Sequence, residues 1–104
     1  MPLTRVVVGR LGRPHGIRGE VTVELRTDSP ELRFAPGVRL FVQDNSRKPL
    51  TVEAGRVHSG VLLVKFVGQD TRNAAESLRG LIVESEIDES ELPEDEDEYY
   101  EDED

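Results

Sequence analysis

The sequence predicts an all-β fold, a Greek-key or closed barrel of six short strands with two helical turns. Three observations lead to this prediction. Apolar residues recur at every second position in several short runs, as they do on half-buried strands. Residues typical of turns separate these runs at short intervals, and each of the two helical patterns is brief. Closure of the sheet into a barrel would remove its exposed strand edges.

The first two predicted strands, residues 3–8 and 21–26, are joined by a stretch rich in glycine and arginine, residues 9–20. The second strand alternates valine and leucine with polar residues, the clearest two-residue period in the chain. The connection contains four glycines, one proline and one isolated apolar residue, Ile17. We therefore expect a long cationic loop on a rigid scaffold, which is a common location for a binding site.

A single helical turn is predicted for residues 29–34. Ser29 is a favourable N-cap, and Pro30 suits the first helical position because its missing N–H has no partner there. Leu32 and Phe34 are expected to close an end of the core.

Three further strands are predicted at residues 38–42, 50–57 and 61–67. In the fourth strand of the chain the apolar face slips by one residue beside Gly55, which predicts a β-bulge. The dipeptide at residues 59–60, Ser-Gly, predicts a tight hairpin turn between the fourth and fifth strands.

A short helix is predicted for residues 71–79, with Asp70 as its N-cap. Arg72 and Glu76 lie four residues apart and are expected to pair on its surface. The sixth strand is predicted for residues 81–83.

The charge is divided unevenly along the chain. Residues 1–83 contain all 13 basic residues and 8 acidic ones, a net charge of +5, whereas residues 84–104 contain 14 acidic residues and no base. Eleven of the 13 bases are arginine, which suits bidentate contact with phosphate or carboxylate. We predict a folded, basic domain over residues 1–86 and an acidic, disordered segment over residues 87–104.

Three interpretations of the acidic segment remain open: an interdomain linker, a solubilising tail, and a ligand mimic for the basic loop. We favour a linker, because the tyrosine pair at residues 99–100 is unusual for a purely solubilising tail.

Composition argues against several classes of function. The chain has no cysteine, which excludes a disulfide framework and a thiolate metal site. No leader pattern and no apolar run of about 20 residues is present, so we expect a cytoplasmic protein that does not bind membranes. His15 and His58 are the only histidines and lie far apart in sequence, and no nucleophile–base spacing is visible, so we expect no metal, no cofactor and no enzymatic activity.

The candidate binding residues belong to the cationic loop. Arginine is suited to phosphate, and a histidine between proline and glycine is expected to be exposed. The loop lacks the Lys-Ser/Thr ending of a phosphate-binding Walker loop, and its Gly-x-x-Gly spacings lie between strands rather than the helices of a KH domain. A plain hairpin with solvated arginines remains the alternative. The candidate set is Arg10, Arg13, His15, Gly16, Arg18, Gly19 and Glu20.

Two segments together resemble a known family. The stretch 8–21 contains the pattern His-Gly-x-x-Gly-Glu, and the stretch 56–80 contains Arg-Asn-Ala-Ala-Glu in its second half. In order and spacing, both are similar to the N-terminal domain of the RimM family of bacterial ribosome maturation factors. The resemblance implies a six-stranded antiparallel Greek-key β-barrel like those of translation factors. It also implies a second, PRC-type barrel that nothing here matches, so an N-terminal fragment is expected.

The resemblance further implies a non-enzymatic role in ribosome biogenesis. Family members bind the head of the assembling small ribosomal subunit and promote maturation of its 16S rRNA, and their protein partner is ribosomal protein nineteen of that subunit. We therefore expect a monomeric assembly chaperone whose cationic loop contacts 16S rRNA. The alternative is a protein–protein interaction module that uses the same loop without touching RNA.

Overall fold

The barrel of the computed structural model contains all six predicted strands, and the structure describes residues 3–88 and 90. The elements in chain order are β1 (Leu3–His15), β2 (Glu20–Leu25), α1 (Pro30–Arg33), β3 (Arg39–Val42), β4 (Leu50–His58), β5 (Val61–Phe66), α2 (Arg72–Glu76) and β6 (Ile82–Asp88).

The strands close into a barrel in the order β1-β2-β5-β4-β3-β6, and every neighbouring pair is antiparallel. The strands β3, β4 and β5 are successive neighbours, and β6 returns to lie beside β3, which is the Greek-key arrangement. The predicted fold is therefore confirmed.

The core fills the barrel interior with aliphatic side chains and two phenylalanines. Phe66, Leu11, Leu40, Leu63 and Leu78 are the largest of the fully buried side chains. Leu78 follows α2 and brings the helical segment onto the barrel, where it packs with Ala75. Phe34 is buried as predicted, but Leu32 is 61% exposed, so the expectation that it closes the core was wrong.

The first strand is much longer than predicted. It continues to His15, so most of the expected loop is strand and only residues 16–19 connect β1 to β2. Gly9 and Gly12 serve close packing there: a Cβ on Gly9 would lie 2.9 Å from Val23 Cγ1, and one on Gly12 would collide with Thr22 Oγ1. The register shifts by one residue between Leu11 and Pro14, which is a β-bulge.

The hairpin between β4 and β5 turns as predicted. Ser59 and Gly60 have φ values of 52° and 79°, the two positive angles that a type I′ turn requires. The predicted bulge in β4 also exists, but its register shift lies between Val52 and Ala54 rather than beside Gly55.

The second helix differs from the prediction in its cap and in its pairing. Thr71, not Asp70, is the N-cap, and its side chain accepts a hydrogen bond from the N–H of Ala74 at 3.1 Å. The helix ends at Glu76, three residues before its predicted end at residue 79. Arg72 does not pair with Glu76, whose carboxylate lies 3.6 Å from Arg79 instead.

The last strand continues to Asp88, two residues beyond the predicted end of the barrel domain at residue 86. Ile87 is only 5% exposed, and its pairing with Thr4 explains the extension. The predicted acidic segment otherwise lies almost entirely outside the described residues and stays a prediction. No helix within residues 3–88 and 90 is long and apolar enough to cross a membrane.

Candidate functional site

The four-residue loop between β1 and β2 is held against the segment that leads into α2. Gly16 and Gly19 have φ values of 71° and 100°, which side chains disfavour. Gly19 is buried, and a Cβ there would collide with the carbonyl oxygen of Gln69. Arg72 donates a hydrogen bond from Nη1 to the carbonyl oxygen of Gly16 at 2.9 Å. Contacts at both ends therefore fix the loop in one orientation.

The tip of this loop presents one apolar and one basic side chain. Ile17 is 78% exposed, and Arg18 is exposed without a carboxylate partner among residues 3–88 and 90. The two residues line a cavity of about 660 Å³ that also includes His15, Glu20 and Arg56. The tip of the loop is thus exposed, and its backbone is held in place by Arg72.

Glu20 is engaged within the protein. Arg56 donates two hydrogen bonds to its carboxylate, from Nε at 2.8 Å and from Nη2 at 2.9 Å. The hydrogen bond from Arg56 holds the pKa of Glu20 below its ordinary value, although partial burial opposes this effect. The pair joins the start of β2 to β4, and the two charges balance each other.

The positive charge of Lys65 is balanced by two carboxylates in the same region. Its ammonium group donates to Asp70 and to Glu53, and these hydrogen bonds raise the pKa of Lys65. Asp70, which the sequence predicted as a helix cap, therefore serves as an ion-pair partner. The cavity at the loop tip is consequently close to electrically balanced apart from Arg18.

A second surface carries the unbalanced positive charge. Two adjoining cavities of about 430 and 380 Å³ share Arg13, Thr22 and Val61 among their lining residues and so form one continuous groove. We call it the cationic groove; its four arginines are Arg10, Arg13, Arg72 and Arg79.

Two strands and the helical segment position these arginines. Arg10 and Arg13 lie exposed on β1, and the bulge between Leu11 and Pro14 places Gly12 and Arg13 opposite β2 without turning either inward. Neither Arg10 nor Arg13 has a carboxylate partner in the described part of the chain.

The other arginines and the acidic side chain of the groove do have partners. Arg72 and Arg79 lie at the start of α2 and just after its end, and Arg79 has only the 3.6 Å contact with Glu76. Glu24 also lines the groove but lies 3.1 Å from Arg26.

Two histidines meet at one end of the groove. The ring centroids of His15 and His58 are 5.2 Å apart with the rings tilted by 54°. The pairing of β2 with β5 brings the β4–β5 hairpin, and with it His58, beside the end of β1. Within the residues that the structure describes, no three His, Cys, Asp or Glu side chains converge as metal ligands would.

The structure thus divides the predicted site residues between two cavities. Arg10 and Arg13 line the groove, Gly16, Arg18 and Glu20 line the loop-tip cavity, and His15 belongs to both. Gly19, the last residue of the loop, is buried rather than on the surface.

Four contributors were missed by sequence reasoning: Arg56, His58, Arg72 and Arg79. Of these, Arg72 is predicted from the sequence only to pair with Glu76 on its own helix. The approach of His58 to His15 depends on strand order, which no local sequence signal reveals.

The family profile described as the RimM N-terminal domain matches residues 6–91. The chain belongs to this family. Among curated RimM proteins, the ribosome maturation factor RimM of Streptomyces avermitilis is 57% identical to this chain over 96 residues. The match covers 92% of this chain and 52% of that relative. It is 53% identical over 97 residues to the RimM of Arthrobacter sp. strain FB24, covering 90% of this chain and 47% of the relative. The chain therefore spans about half the length of these curated RimM relatives.

Two solved RimM structures share the barrel. A crystal structure from Pseudomonas aeruginosa, described as a 16S ribosomal RNA processing protein RimM, superposes with a TM-score of 0.69 at 32% identity, covering 86% of this chain and 54% of that one. The solution structure of the RimM N-terminal domain from Thermus thermophilus superposes with a TM-score of 0.64 at 24% identity, covering 86% of this chain and 95% of that one. The second likeness concerns the fold alone.

Proposed function

We propose that this chain is the N-terminal barrel of a ribosome assembly factor that binds the immature small ribosomal subunit and promotes maturation of its 16S rRNA. Membership of the RimM family and the names of its relatives, ribosome maturation factors, support this role. The proposed action is that of a cytoplasmic, monomeric chaperone without a cofactor. It binds one conformer of the subunit more tightly than its competitors and so raises that conformer's population.

The observation that carries the proposal is the cationic groove. Arg10 and Arg13 are exposed, have no carboxylate partner among residues 3–88 and 90, and line one groove with Arg72 and Arg79. Arginines in this arrangement suit the phosphates of an RNA backbone, where contacts position a protein without reading sequence. Residues 1–83 have a net charge of +5, which favours contact with RNA, whereas the 14 acidic residues of the segment 84–104 oppose attraction at longer range.

A salt titration of binding to 16S rRNA fragments from the subunit head tests this proposal. Three phosphate contacts from arginines of the groove, such as Arg10, Arg13 and Arg72, predict a log–log slope of about −2 for single-stranded RNA and about −3 for a duplex. Replacing Arg10 and Arg13 with alanine should reduce the magnitude of that slope by about 1.5 to 2. Arg39→Ala is the matched control, because Arg39 is exposed on β3 and does not line the groove. A slope near zero for the unmodified chain would remove RNA from the proposal.

A second candidate function, protein binding without RNA contact, is favoured by Ile17. An aliphatic side chain that is 78% exposed on a fixed loop suits an apolar pocket of a protein better than a phosphate backbone. The proposed partner in this case is ribosomal protein nineteen of the small subunit, at the subunit head.

Chemical-shift mapping with RNA and with the purified ribosomal protein, in separate titrations, separates the two candidates. RNA binding should perturb the amides of β1 around Arg10 and Arg13. Protein binding through the loop should perturb residues 16–19 and leave the groove unchanged.

A further inference from the structure

The end of the cationic groove beneath the two histidines is lined by residues of five elements, β1, β2, β4, β5 and α2. We call it the donor pocket. Its volume is about 380 Å³, and Pro14, Val61 and Leu63 provide its apolar walls. Its polar lining residues are Arg13, His15, Thr22, His58, Ser59 and Arg72.

Every polar side chain of the donor pocket can donate a hydrogen bond, and no carboxylate lines it. Two guanidinium groups, two imidazoles and two hydroxyls therefore surround a space without an internal anion. The other two cavities near β1 differ in this respect, since Glu24 lines one and Glu20 and Glu53 line the other.

The two arginines of the donor pocket keep donors available. Arg13 has no carboxylate partner in the part of the chain that the structure describes. Arg72 uses Nη1 for the carbonyl oxygen of Gly16 at 2.9 Å, and a guanidinium has five N–H donors, so others remain for a ligand. The bond to Gly16 also fixes the guanidinium in place, which reduces the entropy lost on binding.

The backbone around the donor pocket is equally restrained. The bulge in β1 sets the position of Arg13, and the type I′ turn at Ser59 and Gly60 sets that of His58. The cap on Thr71 fixes the start of α2, where Arg72 lies. A preorganised set of donors strengthens contact with an anion, because less conformational entropy is lost when the anion binds.

We propose that the donor pocket is a phosphate-binding site that seats one phosphate group of the bound RNA strand between Arg13 and Arg72. This inference rests on the proposed function. It adds one defined phosphate-binding position to the contacts that the groove is proposed to make along the RNA backbone. The His15–His58 pair closes one side of the pocket and contributes ring N–H donors. The remaining arginines, Arg10 and Arg79, lie farther along the groove for a neighbouring phosphate of the same strand.

The test is an NMR titration of the isotopically labelled chain, first with inorganic phosphate and then with a short single-stranded RNA at low ionic strength. Saturable shifts of the Nε–H signals of Arg13 and Arg72 and of both histidine rings are expected, with Arg39 unaffected. Shifts of Arg39 equal to those of Arg13 would overturn the site, because they would indicate diffuse ion screening. RNA that fails to compete with phosphate for these groups would overturn the assignment to RNA.

Variants test the same site independently. Arg13→Ala and His58→Ala should each weaken phosphate affinity about tenfold, the effect of losing one charge-assisted or well-placed donor, while Arg39→Ala leaves it unchanged. Both positions are exposed on strands, and the unmodified chain's titration remains informative if a variant misfolds. An acidic peptide that binds the pocket as tightly as RNA would contradict the proposal and indicate a protein ligand.

Binding to assembling small subunits, measured in parallel, separates the two proposals. Intact subunit binding with no effect of Arg13→Ala and His58→Ala on phosphate affinity would overturn the donor pocket alone. Saturable phosphate binding by a chain that does not bind subunits would overturn the proposed function and leave the phosphate site standing.

Discussion

Replacing Gly19 with alanine should destabilise the barrel strongly and detach the loop from the segment before α2. The backbone of Gly19 has φ = 100°, and a positive φ costs an alanine about 1–2 kcal/mol. The added Cβ would also collide with the carbonyl oxygen of Gln69, a backbone atom that cannot rotate away. Relieving such a collision costs about 1–3 kcal/mol, so we expect a total of about 2–5 kcal/mol.

The matched control for this change is Gly16→Ala in the same loop. Gly16 has φ = 71°, but a Cβ there would meet nothing within 4 Å, so only the conformational cost of about 1–2 kcal/mol applies. Urea unfolding measures both variants. With a slope m of about 1.5 kcal/mol per M, the midpoint should fall by about 1–3 M for Gly19→Ala and by about 1 M for Gly16→Ala. Equal shifts for the two variants would refute the collision with Gln69.

Three further substitutions test the packing of Leu78, the N-cap of α2 and the ion pair between Glu20 and Arg56. Leu78→Ala should lower the free energy of unfolding by about 2–5 kcal/mol in denaturant titrations, because Leu78 is fully buried and its loss leaves a cavity; a loss below about 1 kcal/mol would contradict that packing. Thr71→Ala should cost about 1 kcal/mol in the same assay, since it removes the hydrogen bond accepted from the N–H of Ala74, and Thr71→Ser should retain most of it. Glu20→Gln should destabilise the protein at neutral pH. The hydrogen bond from Arg56 lowers the pKa of Glu20, so its stabilisation is present above the ordinary glutamate pKa of about 4.3 and is lost as pH falls through the folded value. The difference between wild type and variant should therefore shrink below about pH 4, and a constant difference would contradict the assignment.

The strands were predictable where one face is buried, because burial imposes the two-residue period directly on the sequence. For the stretch from Gly9 to His15, this two-residue period did not reveal the strand. Glycine there indicated turns, but Gly9 and Gly12 are required by the proximity of Val23 and Thr22 on the next strand. Glycine suits both a turn and a close approach between two strands. Only the position of the neighbouring strand shows which of these two requirements applies.

The candidate site was predictable in its cationic character and less so in its composition. Arg10 and Arg13 stand in one sequence segment and remain neighbours in the groove. Arg72 was expected to pair within its own helix, yet its guanidinium reaches across to Gly16, 56 residues away in sequence. Glu20 was expected to be available, and a partner from β4 occupies it. Contacts of this kind depend on the order of the strands in the barrel, which the alternation of apolar and polar residues does not reveal.

The bulge in β1 has a consequence for how the outer face of the barrel can change. Between Leu11 and Pro14 the first strand advances three residues while its neighbour advances two, from Val23 to Val21. Removing Gly12 would restore one-to-one pairing and keep Leu11 and Pro14 facing inward, so the interior would tolerate a chain shortened at this one place. Arg13 would then stand directly across from Thr22 and shift along the groove. The position of Arg13 in the groove therefore depends on the length of β1, and not only on the side chains that the strand carries.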